Sequence, residues 1–181
     1  VYDDLHGWDM IPYTGTQEFY NDFNNYDVTI RVPSGYMVWA TGTWENPEVI
    51  LHSDVLQRYE KAKVSDEVVH IISENDLTSK RIFAGRGNKA YHFTAALVPD
   101  FAYAVSDKYI WDGASVITDS TTQKRVFVSA AYKPGEDNFD QVVTFGKETV
   151  RHTSFSSYGV PYPYPCVTVF NGRGGMEYPM M

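Results

Sequence analysis

Strict alternation of apolar and polar residues over residues 26–32 constrains the fold of this chain more than any other feature. The alternating positions are Tyr26, Val28, Ile30 and Val32 on one side and Asp27, Thr29 and Arg31 on the other. Successive side chains of a β-strand point to opposite faces, so this pattern predicts a strand with one buried and one solvated face. Pro33, Ser34 and Gly35 predict a turn, and residues 36–41 predict a partner strand that closes a hairpin.

Similar segments recur along the chain and predict a mainly β fold. Aromatic residues make up 15% of the sequence, with 14 Tyr, and they concentrate in segments of period two. Further strands are predicted over residues 68–73, 90–97, 101–106, 114–118 and 125–132. In the third of these, large Phe101, Tyr103 and Val105 alternate with alanines, so we expect the large side chains to pack on another sheet. The spacing predicts an antiparallel β-sandwich over residues 1–120.

Two segments have helical rather than strand periodicity. Between residues 43 and 64, Asn46 and Pro47 predict a cap and a first helical residue, followed by a stripe at near-helical spacing: Leu51, Val55, Tyr59 and Ala62. A second stripe, which Asp137 would cap, consists of Phe139, Val142, Val143, Gly146 and Val150. We expect both stripes to pack on the core.

The polar stretch 119–123 marks a change of character, and we predict a domain boundary there. The region 124–181 then contains a strand, the second helix, a Tyr/Pro segment (residues 158–165), a strand over 166–170 and a Gly-rich loop over 171–175. Alternate prolines exclude a helix in the Tyr/Pro segment. These elements have too few layers to bury their apolar faces, so we expect an incomplete α+β domain.

Charge and hydropathy exclude two classes of function. The 181 residues contain 15 Lys and Arg against 23 Asp and Glu, a net charge of −8, which argues against a nucleic-acid partner because phosphate binding needs a surplus of basic residues. Apolar runs are far shorter than the roughly 20 residues that cross a bilayer, so no membrane segment is predicted. The composition is compatible with a secreted or periplasmic protein but does not fix the compartment.

Residues with catalytic or metal-binding potential are scattered. The histidines, at positions 6, 52, 70, 92 and 152, form no His-Glu-x-x-His pair, and each is expected to be a surface or packing residue. Cys166 starts an apolar strand and predicts a buried, unreactive thiol. Gly85-Arg86-Gly87-Asn88 lacks the remainder of a phosphate-binding loop and predicts a turn. Accordingly, we predict neither catalytic nor metal-ligating residues in this chain.

One segment near the C-terminus has binding potential: Gly174, Gly175, Met176 and Glu177. Two glycines allow the backbone to approach a ligand closely, and their amides and carbonyls can pair with an extended peptide. The carboxylate of Glu177 can hold a cation. The segment follows an amphipathic helix, Gly159-Val160-Pro161-Tyr162-Pro163 and a short strand, in that order.

This order resembles the aminopeptidase N family of zinc metallopeptidases (gluzincin type), whose catalytic domain starts with a strand, a helix, a Gly-x-Pro-Tyr-Pro segment, a strand and a Gly-Ala-Met-Glu-Asn motif. Upstream, residues 98–106 resemble the family's Asp-Phe-Ala strand near the end of its N-terminal sandwich domain, and residues 26–42 resemble its Tyr-Asp-Val-x-Ile-x-Val-Pro hairpin. This sequence departs from the motif at Gly175, where the family has Ala, and at Tyr178-Pro179, which replace the Asn.

The resemblance implies that the chain is a piece of a peptidase: the later part of the N-terminal β domain and, from residue 124, the thermolysin-like start of the catalytic domain. Glu177 would bind the α-amine of a peptide substrate, and Gly174 and Gly175 would pair with its backbone beside Met176. Zinc would be bound by the remaining catalytic domain of the same chain, beyond Met181. This piece would hold no cofactor and would be inactive alone.

A second hypothesis is a non-catalytic β-sandwich module that binds glycan or protein. Trp8, Trp39, Trp44 and Trp111 would form an aromatic platform for sugar if they were exposed, and the alternative is that at least two of them lie in the core. Glu177 would then be an ordinary surface acid.

Overall fold

The computed structural model describes residues 2–8, 10, 22–136, 138–157 and 159–172, and this part of the chain is mainly β. Its strands are β1 (Tyr2–Asp3), β2 (Gly7–Trp8), β3 (Asn24–Val32), β4 (Met37–Ala40), β5 (Thr43–Trp44), β6 (Val69–Ile72), β7 (Lys89–Val98), β8 (Tyr103–Ser106), β9 (Ile110–Asp119), β10 (Lys124–Tyr132) and β11 (Cys166–Phe170). Its α-helices are α1 (Pro47–Ile50), α2 (Ser53–Ala62), α3 (Glu74–Ser79) and α4 (Val142–His152). A 3₁₀ turn (Phe139–Gln141) precedes α4, and a π-helical turn (Thr153–Ser157) follows it.

A four-stranded sheet has the order β11-β10-β9-β6. β6, β9 and β10 pair antiparallel, whereas β11 runs parallel to β10. The predicted boundary at 120–124 coincides with the turn between β9 and β10, so this sheet contains residues from both sides of it. The division of the chain into domains stays a prediction.

The hairpin predicted between residues 26–32 and 36–41 is wrong, although both segments are strands. β3 pairs with β7 in a three-stranded sheet of order β3-β7-β5, and β4 pairs with β8 in a separate two-stranded sheet. The turn at 33–35 is present, with Gly35 at a φ of +93°. Local alternation predicts a strand but not its neighbour, which depends on contacts distant in sequence.

The main core lies on one face of the four-stranded sheet, where β3, β4, β5, β7, α1 and α2 contribute. Its largest buried side chains include Trp39, Trp44, Tyr59, Tyr91 and Trp111. α4 covers the opposite face, with Val143 packed against Ala114 and Ala130, and with Val150 near Val126 and Val128. Both faces of β9 and β10 are therefore buried. Successive residues along each strand pack alternately into the main core and against α4.

The predicted helices form where expected. Pro47 starts α1 with Asn46 at the N-cap position, although the Asn46 side chain caps nothing and instead donates to Ala90 O at 2.9 Å. Leu51, Val55, Tyr59 and Ala62 are all buried. The Asp137 cap predicted for α4 lies outside the described residues.

Helix α3 was not predicted, because its six residues lack a recognisable apolar stripe. Its start is fixed by a capping box in which Ser73 Oγ accepts from the Asp76 amide and the Asp76 carboxylate accepts from the Ser73 amide. Arg58 then ties α2 to this helix start, with its guanidinium 2.8 Å from Asp76 Oδ2.

The packing expected for residues 101–106 is wrong in part. Tyr103 is 61% exposed and Val105 is 37% exposed, so the large side chains of β8 face outward instead of packing on another sheet. β8 is held through its pairing with β4. Alternation of large and small residues identifies the two faces of a strand without identifying which is covered.

No helix within the described ranges combines the length and apolar character that spanning a membrane requires.

Candidate functional site

The unit that leads to Gly174 is built from β10, α4 and β11. β11 pairs parallel with β10 from Phe127 opposite Cys166 to Ala131 opposite Phe170. Parallel neighbours need a crossover, and α4 supplies it across the sheet face. The helix approaches the sheet closely at Gly146, where an added Cβ would lie 2.9 Å from Val128 Cγ1. The size of Gly146 therefore sets the distance between helix and sheet.

The Tyr/Pro segment connects α4 to β11 and is fixed by hydrogen bonds to its carbonyl groups. Lys124 Nζ donates to Tyr162 O at 2.8 Å and to Pro163 O at 2.7 Å. The Phe127 amide donates to Pro165 O at 3.0 Å, which continues the β10–β11 pairing upstream of β11. Since its prolines lack an N–H group, the segment is held mainly through carbonyls, together with the Tyr162 amide, which donates to Ser154 Oγ at 3.1 Å.

The other end of β11 is held in the sheet as far as Asn171. The Asn171 amide donates to Ala131 O at 2.9 Å, and Tyr109 Oη donates to Asn171 O at 2.6 Å. The ring of Tyr109 stacks on Phe170 with centroids 4.9 Å apart, and Phe170 also lies 5.7 Å from the ring of Trp39. Position and direction of the chain are thus fixed three residues before Gly174.

β11 has a free edge among the described residues, since its described neighbour is β10 alone. Thr168 in the middle of the strand is exposed. An open edge of this kind presents backbone donors and acceptors that can pair with an extended peptide.

The predicted substrate-binding residues Gly174, Gly175, Met176 and Glu177 lie outside the described residues. Their roles stay predictions, and the structure describes the strand that precedes them.

Two of the histidines, His92 and His52, form separate local contacts. His92 Nε2 lies 3.0 Å from Asp27 Oδ1, and His52 Nδ1 accepts from the Asp54 amide at the start of α2. Within the described ranges, no three His, Cys, Asp or Glu side chains come close enough to share a metal ion.

A third histidine belongs to a cluster that the sequence did not reveal. His70 Nδ1 lies 2.6 Å from Asp112 Oδ1, and Tyr132 Oη donates to Asp112 Oδ2 at 2.6 Å. Asp112 is 2% exposed, whereas the His70 side chain is 75% exposed. Burial, together with the Asp112 carboxylate, raises the pKa of Tyr132, which remains a neutral donor. The three residues lie on different strands, so only strand register could identify them.

Cys166 agrees with the prediction of an unreactive thiol, although the residue as a whole is half-buried. Its Sγ donates to Gly42 O at 3.1 Å, and burial raises the pKa of the thiol to about 11. At neutral pH very little of a thiol with that pKa is deprotonated, and the thiolate is the nucleophilic form.

The tryptophans do not form an exposed platform. Trp39, Trp44 and Trp111 are 4%, 8% and 3% exposed and belong to the main core, while Trp8 is 73% exposed. The core alternative for at least two of them is confirmed. Gly85 and Gly87, at φ of +62° and +100°, lie in the connection before β7, in agreement with the turn predicted there.

Comparisons with known proteins give no relative: no family model matches the chain, and no curated protein or solved structure does so.

Proposed function

We propose that this chain is part of a zinc metallopeptidase similar to aminopeptidase N and that it supplies the segment that binds the substrate's N-terminus. In this proposal, Glu177 binds the α-ammonium group of the peptide, and the backbone at Gly174 and Gly175 pairs with the substrate main chain beside Met176. Residues 1–120 would form the later part of an N-terminal β-sandwich domain, and residues 124–181 would begin the catalytic domain.

One observation carries the proposal. The structure contains the order strand, crossover helix, fixed Tyr/Pro segment and parallel edge strand, and this order ends at Asn171, anchored by Ala131 and Tyr109. The Gly-Gly-Met-Glu sequence follows three residues later. An edge strand with a fixed end is a suitable support for a peptide-binding segment, because it orients the segment before the ligand arrives.

The chemistry of Glu177 gives the segment its selectivity. A carboxylate that faces an ammonium group forms a charge-assisted hydrogen bond, which a blocked N-terminus cannot make. Binding the charged end at a fixed distance from the reacting groups also determines which peptide bond is cleaved. The proposal therefore assigns Glu177 to positioning the substrate and assigns no proton transfer to this chain.

Zinc and the groups that activate water are proposed to belong to the remaining catalytic domain of the same chain. Because the family resemblance puts the zinc ligands later in the chain, no hydrolytic step is assigned to residues 1–181. We expect the pure 181-residue chain to release no product from aminoacyl p-nitroanilides, with or without added zinc. Chelator-sensitive hydrolysis by this chain alone would contradict that expectation.

A glycan-binding module is disfavoured by the burial of Trp39, Trp44 and Trp111, which leaves no flat surface of stacked indoles among the described residues. A protein-binding module remains the alternative outcome of the test below.

The test is substitution of Glu177 in the full-length protein. Glu177→Gln keeps the shape of the side chain and removes its charge, and Glu136→Gln is a matched control at an exposed glutamate. For substrates with a free α-amine, we expect kcat/KM of Glu177→Gln to fall by about 30- to 5,000-fold, which corresponds to about 2–5 kcal/mol of lost transition-state stabilisation. Its activity on N-acetylated substrates should not change, and the control should match the unsubstituted enzyme.

Equal kinetics for the two variants on free-amine substrates would refute the role of Glu177. A full-length protein that has no His-Glu-x-x-His helix after Met181, and no peptidase activity, would refute the peptidase assignment itself and favour the binding module.

A further inference from the structure

The sequence contains one Asn that is followed by Gly, Asn171-Gly172, directly after the end of β11. In such a pair the amide nitrogen of the glycine can attack the side-chain carbonyl carbon of the asparagine, because glycine has no side chain to block the approach. Ammonia leaves, a succinimide ring forms, and water opens the ring to aspartate or isoaspartate. The pair is therefore a candidate modification site, and its surroundings determine how fast it reacts.

Water can reach the reacting groups. Asn171 is half-buried and Gly172 is exposed. Within the described part of the chain, no hydrogen bond holds the side-chain amide of Asn171. The Gly172 amide donates to Phe170 O at 2.9 Å, a contact that closes a γ-turn at Asn171. The reaction removes that amide proton before the nitrogen attacks, so this hydrogen bond is lost in the same step.

A hydrogen-bond donor faces the oxygen on which negative charge develops. Loss of the Gly172 amide proton leaves a charge that amide resonance places on the main-chain oxygen of Asn171. Tyr109 Oη donates to this oxygen at 2.6 Å. The Tyr109 ring stacks on Phe170 with centroids 4.9 Å apart, so the hydroxyl is in position before the proton is lost. A donor that is fixed where charge develops lowers the barrier to the step that forms the charge.

We propose that Asn171 is a site of spontaneous deamidation and that the Tyr109 hydroxyl promotes it. Hydroxide takes the Gly172 amide proton, and the nitrogen forms a bond to Asn171 Cγ. The C–N bond of the side-chain amide then breaks, and the leaving nitrogen takes a proton from water, which releases ammonia and restores the hydroxide. Water opens the succinimide: attack at the main-chain carbonyl, which Tyr109 polarises, gives isoaspartate, and attack at Cγ gives aspartate.

The modification changes the chain at the end of β11. Either product places a carboxylate where Asn171 was neutral, and isoaspartate also lengthens the main chain by one carbon, three residues before Gly174. The inference does not depend on the peptidase assignment, because every reacting group belongs to the described residues.

The experiment incubates the 181-residue chain at mildly alkaline pH and locates the products by tandem mass spectrometry, with a protein isoaspartate methyltransferase assay to measure isoaspartate. We expect conversion of Asn171 to be at least about tenfold faster than that of Asn88, which is exposed but is followed by Lys89. Gly172→Ala should slow the conversion by a similar factor. An added Cβ at Gly172 would lie 3.6 Å from Phe170 Cδ1, an ordinary contact, so this variant should fold.

Tyr109→Phe tests the role of the hydroxyl, because it keeps the stacked ring and removes only the donor. We expect deamidation of Asn171 to become about threefold to tenfold slower, as for the loss of one hydrogen bond, and to give a smaller share of isoaspartate. If Tyr109 only anchored the chain, its removal would loosen Asn171 and make deamidation faster. The proposal is wrong if Tyr109→Phe reacts at the unsubstituted rate or faster, or if Asn171 reacts no faster than Asn88.

Discussion

Asp112 lies opposite His70 in the pairing of β9 with β6, and its second carboxylate oxygen accepts a hydrogen bond from Tyr132 on β10. One buried carboxylate therefore joins three neighbouring strands of the four-stranded sheet through side chains as well as through the backbone. A carboxylate that is 2% exposed is retained in such a place only when its oxygens have donors.

The first prediction concerns that carboxylate. Tyr132→Phe removes the donor to Asp112 Oδ2 and leaves a buried charged oxygen short of one hydrogen bond. We expect the free energy of unfolding in urea to fall by about 1–3 kcal/mol. Tyr103→Phe, at a tyrosine that is 61% exposed, is the matched control and should change the free energy of unfolding by less than about 0.5 kcal/mol. Equal effects of the two substitutions would show that the Tyr132 hydroxyl is not needed.

The second prediction concerns two glycines with nearly the same backbone conformation. Gly42 has a φ of +90° and Gly35 a φ of +93°, yet an added Cβ at Gly42 would lie 2.1 Å from Thr94 O, whereas at Gly35 it would meet nothing within 4 Å. Gly35→Ala should therefore cost only the backbone strain, about 1–2 kcal/mol, and Gly42→Ala about 3 kcal/mol or more. Thermal and urea unfolding of the two variants measure this difference. A Gly42→Ala chain as stable as the Gly35→Ala chain would contradict the close approach.

The third prediction concerns the support of the Tyr/Pro segment. Lys124→Met keeps the length of the side chain and removes the ammonium group that donates to Tyr162 O and Pro163 O. We expect a loss of about 1–3 kcal/mol in the free energy of unfolding. Hydrogen exchange of the Tyr162 amide, which donates to Ser154 Oγ at 3.1 Å, should also become faster. Lys133→Met, at an exposed lysine, should leave both quantities unchanged, and faster exchange in both variants would mean that the effect is not local.

The fourth prediction concerns pH. Because burial raises the pKa of the Cys166 thiol from 9.0 to about 11, alkylation by iodoacetamide should be half-maximal near pH 11 in the folded chain and near pH 9 in urea. Above pH 9 the unfolded chain loses this proton more readily than the folded chain does, so the free energy of unfolding falls as the pH rises from about 9 to about 11. In Cys166→Ala, the free energy of unfolding should fall less over that interval. The chain has 1 Cys, so alkylation reports on this site alone, and a half-maximal rate near pH 9 in the folded chain would show an accessible thiol.

The sequence by itself determined the local structure. Alternation identified β3, β7 and β10, helical spacing identified α2 and α4, and alternate prolines excluded a helix before β11, because side-chain direction and missing N–H groups are properties of nearby residues. The order of elements before Gly174, on which the proposed function depends, was also readable from sequence, whereas Gly174, Gly175, Met176 and Glu177 themselves lie outside the described residues.

Only the tertiary structure decided which strands are neighbours and which faces are covered. It pairs β3 with β7 instead of β4, places three tryptophans in one core, and brings His70, Asp112 and Tyr132 together from three strands. These outcomes depend on register between segments that are distant in the sequence, and a one-residue slip would move every side chain of a strand to the opposite face. The free energy that selects the register comes from burying side chains of all the strands together. It therefore cannot be predicted from the residues of one segment.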